Sequence, residues 1–152
     1  MTAREYLEQI GKLDSEINNK LSILTALEAT ATKSTGSMSG TVVSGSRNVN
    51  SMEDIITKIM DLREEVNADT DRLIDLRDDT RARIQKLNDA DCRTVLELRY
   101  VWLKPWKTIA RILCCHLRSA YRIHDRALEM ITPLLRDKNV ESCHYGSLDG
   151  NG

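Results

Sequence analysis

The stretch "WKTIARILCCHLRSAYRIHDRAL", residues 106–128, decides the fold. Apolar residues recur at helical spacing on both sides of a vicinal Cys-Cys-His: Ile109 and Leu113 before it, Ala120 and Ile123 after it. Two short helices joined by a tight turn would share one core in this way. Ala110 stands where the backbones of two steeply crossing helices approach, a place that needs a small residue. His116, Leu117, Arg118, Ser119, Tyr121, Arg122 and Asp125 then face outward.

Working upstream, "LNDADCRTVLELRY" offers helix caps at Asn88, Asp89 or Asp91, followed by Val95, Leu96, Leu98 and Tyr100. "VWLKPWKT" ends that helix, because Pro105 disfavours helical geometry at Lys104 while suiting a first helical turn itself. The next helices are expected over 106 to about 113 and 117 to about 131, with Pro133 near the end of the latter. Residues 89–135 thus form a three-helix unit containing a helix-turn-helix, and 136–152 are expected to be a disordered tail.

The first 88 residues follow a different rhythm. Ala3, Tyr6, Ile10, Leu13, Ile17, Leu24 and Leu27 alternate in fours and threes, with Lys20 as the one polar member and Leu21 widening the seam. A second seam runs through Met52, Ile55, Ile59, Leu62, Val66, Leu73, Leu76 and Leu87, interrupted by Asp69, Thr80 and Arg83. Its opposite face is densely charged ("REE", "RDDTRAR"), as a solvated surface would be. Between the seams, about residues 31–50 are dominated by Ser, Thr, Gly and Asn without period, which predicts a flexible loop, and Ser51 supplies an N-cap candidate for the second helix. Residues 1–88 are therefore read as a long antiparallel, coiled-coil-like hairpin, although the same seams would also serve an intermolecular coiled coil. The fold class is all-α.

Composition narrows the function classes. The absence of phenylalanine and an aromatic content of 4% argue against a large aromatic-lined pocket, and no glycine-rich phosphate loop or strand framework is present to build a catalytic one. No enzyme and no cofactor is expected. No window approaches roughly 18 consecutive apolar residues, and "MTAREYLEQI" is an amphipathic start, so a cytosolic protein without a membrane role is expected. In a reducing compartment Cys92, Cys114, Cys115 and Cys143 are read as free thiols.

The net charge of −1 hides a partition. Residues 1–90 hold 12 Lys/Arg against 16 acids, whereas residues 91–140 hold 10 against 5. Between Arg99 and Arg126 seven basic residues face Asp125 alone, a composition suited to a polyanion. Arg118, Ser119 and Arg122 near the start of the last helix match a reading helix in the major groove, where arginine donates bidentately to guanine. Lys104, Lys107 and Arg111 on the preceding segment would flank the groove and touch phosphates. With His116, Tyr121 and Arg126 these make up the candidate DNA-binding set.

"VLELRYVWLKPWKTIARILCCHLRSAYRIHDRALEMI" resembles the C-terminal helix-turn-helix, region four, of bacterial sigma factors. Val95, Leu96, Leu98, Arg99 and Tyr100, then Ile109, Ala110 and Leu113, then Ile123, Arg126, Ala127 and Leu128 carry the resemblance. The N-terminal "AREYLEQIGKLDSEINNKL" and the Ser/Gly loop are similar to small phage and prophage proteins of the ArpU-like type. The resemblance implies a phage-type regulator of late or related promoters in the bacterial cytoplasm that binds double-stranded DNA; the N-terminal helices would then form a homodimer through their seams or contact bacterial RNA polymerase. The competing reading is a sigma-like protein-interaction module that binds host RNA polymerase or a defence protein. Three positions depart from the sigma pattern: Pro105 and His116 stand where serine caps helices, and Cys114 stands where the turn has glycine, at a cost of roughly 1 kcal/mol.

Other constellations rank lower. Cys114, Cys115, His116, Cys143 and His144 contain zinc-type ligands, but no C-x-x-C knuckle exists and adjacent cysteines point apart, so no metal is expected. His124 is read as a surface or boundary histidine. Trp102 and Trp106 are read as anchors between the third and fourth helices.

Overall fold

A computed structural model describes residues 1–36 and 47–136. They form α1 (Ala3–Gly36), α2 (Arg47–Ile84), α3 (Ala90–Leu96) running into a π-helical turn (Glu97–Val101), α4 (Trp106–Ile112) and α5 (Leu117–Arg136). The fold is all-α, and no strand occurs among the described residues. Helix covers 31–36 and 47–50, parts of the expected loop, so Ser51 lies inside α2 and does not cap it. The remainder of that loop, 37–46, and the expected tail from 137 onward lie outside the described residues.

The chain forms two compact units, and they divide it elsewhere than at residue 88. One is Lys12–Asp75; the other joins Met1–Gly11 to the chain from Leu76 onward. In the Lys12–Asp75 unit, α1 and α2 lie antiparallel, with Leu13, Ile17 and Leu24 buried against a seam that includes Ile59, Val66 and Leu73. The polar member of the first seam meets a polar interruption of the second: Lys20 Nζ lies 2.6 Å from Asp69 Oδ2 and 3.2 Å from Glu65. This hydrogen bond holds the Asp69 carboxyl below its usual range and raises Lys20. Arg63 reaches Glu28 further along the pair. A polar layer inside an apolar seam fixes register, because any slip strands both charges against leucine and isoleucine.

The other unit contains α3, α4 and α5, and its core includes two residues from the first turns of α1, Leu7 and Ile10, both fully buried. Ile84 and Leu87 join them. Of the remaining interruptions of the second seam, Arg83 makes its polar contacts here. Arg83 donates to Asp79 at 3.1 Å and to the Leu134 carbonyl at 2.7 Å, and it lies 5.9 Å from the Tyr6 ring centre. Tyr6 hydroxyl donates to Asp79.

Asp89 caps α3, accepting from the Cys92 amide at 3.0 Å. The π-turn closes with Trp102 N–H on the Glu97 carbonyl, after which Leu103 takes a left-handed φ of 52° and Lys104 N–H returns to the Leu98 carbonyl at 2.8 Å. Pro105 sits at the N-cap of α4, whose first helical residue is Trp106. Helix α5 runs to Arg136, beyond the expected end, with Pro133 inside it.

Candidate nucleic-acid interface

The turn between α4 and α5 is a Schellman closure: Cys115 N–H donates to the Ala110 carbonyl and Cys114 N–H to that of Arg111, at 3.0 and 3.1 Å. Its left-handed position, φ 51°, is occupied by Cys114, where a glycine would carry no Cβ penalty. Ala110 and Ala120, buried on either side, let the two helices cross closely. Cys114→Gly is expected to stabilise the protein by at most about 1 kcal/mol, since glycine's extra freedom in the unfolded chain offsets part of the relieved strain. A urea midpoint that falls in this variant would contradict the expectation.

Around this turn the candidate residues separate into groups. Lys104, Lys107 and Arg111 are exposed along the approach to α4 and on α4 itself, and Arg118 and Arg122 are exposed in the first two turns of α5. None of these five side chains has a partner among the described residues. His116 is exposed just before α5, and Ser119 is half-buried. Tyr121, 42% exposed, rests its ring against Trp106, with centroids 4.7 Å apart. Arg126 is engaged differently: it donates to Asp89 Oδ2 at 2.9 Å, tying α5 to the cap of α3. The cap amide of Cys92, with Arg126 adding its charge, holds the Asp89 carboxyl below its usual range.

Two sequence expectations change. His124 is neither at the surface nor at a boundary; it is 4% exposed, with Nε2 2.7 Å from the Tyr100 hydroxyl and its ring edge-on to Trp106. Trp106 therefore anchors α4 to α5, flanked by Arg99 at 5.0 Å, and Trp102 remains 52% exposed beneath the Arg81 guanidinium. Leu117 is exposed beside the turn, as its spacing predicts, and so is Ile112, to which spacing assigned no place. Ile112 lies two residues after the buried Ala110, on the opposite side of α4, which is the signal that would have shown it. Cys143 and His144 of the weighed zinc set lie outside the described residues, which contain no cluster of three or more potential ligands.

A family model described as "Protein of unknown function (DUF1492)" matches residues 32–132, taking in α2, the π-turn and the helix-turn-helix. The chain belongs to the DUF1492 family. No curated protein and no solved structure matches it. The DUF1492 match attaches no activity to the basic face, so chemistry alone must say what that face does. No helix among the described residues is long and apolar enough to cross a membrane.

Proposed function

We propose that this chain is a phage-type, sigma-like transcription regulator of the bacterial cytosol that binds duplex DNA through α4 and α5, without catalysis or cofactor. The observation that carries the reading is the pair of arginines, Arg118 and Arg122, without partners among the described residues and on the outer face of a helix held at a Schellman turn. Free guanidinium groups at that place suit guanine edges, and Lys104, Lys107 and Arg111 suit phosphates. RNA polymerase, and a second copy through the N-terminal helices, are the proposed protein partners.

Mobility shifts at several salt concentrations test it. Arg118→Ala and Arg122→Ala are each expected to weaken binding by about 5- to 150-fold, corresponding to about 1–3 kcal/mol, with circular dichroism unchanged. Lys107→Ala should weaken binding evenly across sequences and flatten the salt slope by about one. Affinity indifferent to salt and to all three changes would sink the reading. A second reading, a module that binds host polymerase or a defence protein, is favoured by the exposed Trp102 and Leu103, a preformed apolar pair on a strained turn.

A further inference from the structure

The face of α5 that carries Arg118 and Arg122 also carries two acids whose charge is wrong for phosphate, Asp125 and, one turn further on, Glu129; Asp125 is the one beside the arginines. Asp125 follows Arg122 by three positions and Arg118 by seven, so all three share one face of the helix. Its carboxylate is 79% exposed and makes only a long contact, 3.4 Å, to His124 Nδ1. No ion pair joins it to Arg122 or Arg118, although Arg122 is within the reach of an i, i+3 pair. The carboxylate keeps most of its acceptor capacity, and the two arginines keep all of their donors.

From Arg118 to Asp125 the order of free groups on this face is thus donor, donor, acceptor, with Glu129 a further acceptor one turn beyond. In the major groove an ionised carboxylate is repelled by N7, O6 and O4, which are acceptors, and is satisfied by exocyclic amino groups, of which cytosine N4 suits aspartate best. Arginine donates two bonds at once to guanine O6 and N7. A G·C pair presents both features side by side. The rise from residue 122 to 125 is about 4.5 Å, against a base step of about 3.4 Å, so the two side chains reach the same pair or adjacent pairs.

Resting on the DNA-binding function proposed for α4 and α5, we infer that Asp125 is a specificity-determining residue that accepts from a cytosine amino group, and that the duplex read by α5 presents guanine to Arg122 beside it. Asp125 lowers affinity for every other sequence and so sharpens the choice.

Selection from duplexes with a randomised central segment, using the full chain, tests this. The wild-type protein is expected to enrich a site with cytosine at a fixed offset from guanine. Asp125→Ala should still retain duplex DNA but lose the preference at that one position. Against the enriched site it should bind about 5- to 150-fold more weakly, the range that corresponds to one good base contact. Against a site with A·T at that position it should bind as well as or better than wild type. If Asp125→Ala enriches the same site as wild type, or strengthens binding uniformly with the ranking unchanged, the inference fails while DNA binding stands. If wild-type protein retains no duplex, both fail. Asp125→Asn, which keeps size and an acceptor oxygen, separates loss of the contact from loss of the charge: a preference retained in part is expected, and one fully retained would overturn the role of the charge.

Discussion

Leu7→Ala is expected to destabilise the unit carrying the helix-turn-helix by about 2–5 kcal/mol, although Leu7 lies about a hundred residues before α4. Leu7 is fully buried, as is Ile10 one turn later, and both belong to the compact unit that contains α3, α4 and α5. Truncating a leucine there removes apolar burial and leaves a cavity that the helices around it fill only in part. The close approach at Gly11, whose added Cβ would stand 3.5 Å from Leu103 Cδ2, shows the first turns of α1 packed to contact on the connection before α4.

Both tryptophans, Trp102 and Trp106, lie in this unit, so their fluorescence during urea unfolding reports on it directly. The Leu7→Ala midpoint should fall sharply at nearly unchanged slope. A fragment of residues 89–136, which lacks Leu7, Ile10, Ile84 and Leu87, should show no cooperative transition. A fragment that unfolds as sharply as the whole chain, or an unmoved midpoint in Leu7→Ala, would show that the N-terminal turns are not part of this core.

The features legible in the sequence were those that one segment settles alone. Asp89 was one of three cap candidates in "NDAD", and its carboxylate is the one that accepts from the Cys92 amide; Cys114 was marked as the turn residue by the sigma-like pattern, which has glycine there, and it does take a left-handed φ. Ala110 needed only the crossing to be placed. Leu7 was missed because the seam through Ala3, Tyr6 and Ile10 is complete without it; its burial depends on α1 touching a unit whose other members begin at Leu76. Lys20 and Asp69 each looked like a flaw in a seam, and only the register of two helices turns both into one contact. Arg126 resembled a free cation until α5 was seen to set it beside Asp89. Helix over 31–36 prevailed over weak local propensity because α1 is already nucleated, so each added residue gains a backbone bond.

His124 was the least legible, and the second large effect stems from it: acid should destabilise the wild-type protein more than a His124→Gln variant below about pH 6.5. Burial is the main cause that pushes the imidazole below its usual range; Asp125, next in sequence, opposes the shift, and Arg4 and Arg99 reinforce it. Burial likewise pushes the Tyr100 hydroxyl upward, with Arg4 opposing and Glu8 adding to the shift, so the hydroxyl stays protonated. A neutral ring protonated at Nδ1 accepts from Tyr100 at Nε2 and leaves Nδ1 facing Asp125. In the unfolded chain the group titrates near 6.5. Above that value neither state binds the proton and the residue adds no pH dependence. As pH falls below it the unfolded chain takes up a proton that the folded one refuses, and stability drops by up to about 1.4 kcal/mol per unit until the folded pKa is passed.

The amide introduced by His124→Gln would accept from Tyr100 without titrating, so the difference between the two unfolding free energies, followed from about pH 7.5 to about pH 5, isolates this residue from the exposed His116. Tyr100→Phe should cost about 1–3 kcal/mol at neutral pH by leaving Nε2 buried without a donor. Parallel pH profiles for wild type and His124→Gln, or an imidazole resonance titrating at or above about 6.5, would refute the assignment. Protonation would also turn Nε2 from acceptor to donor, forcing the Tyr100 hydroxyl to rotate within a site closed by Trp106. Trp106 supports Tyr121 on the outer face of α5, so the acid-sensitive contact and the proposed reading surface share one aromatic side chain.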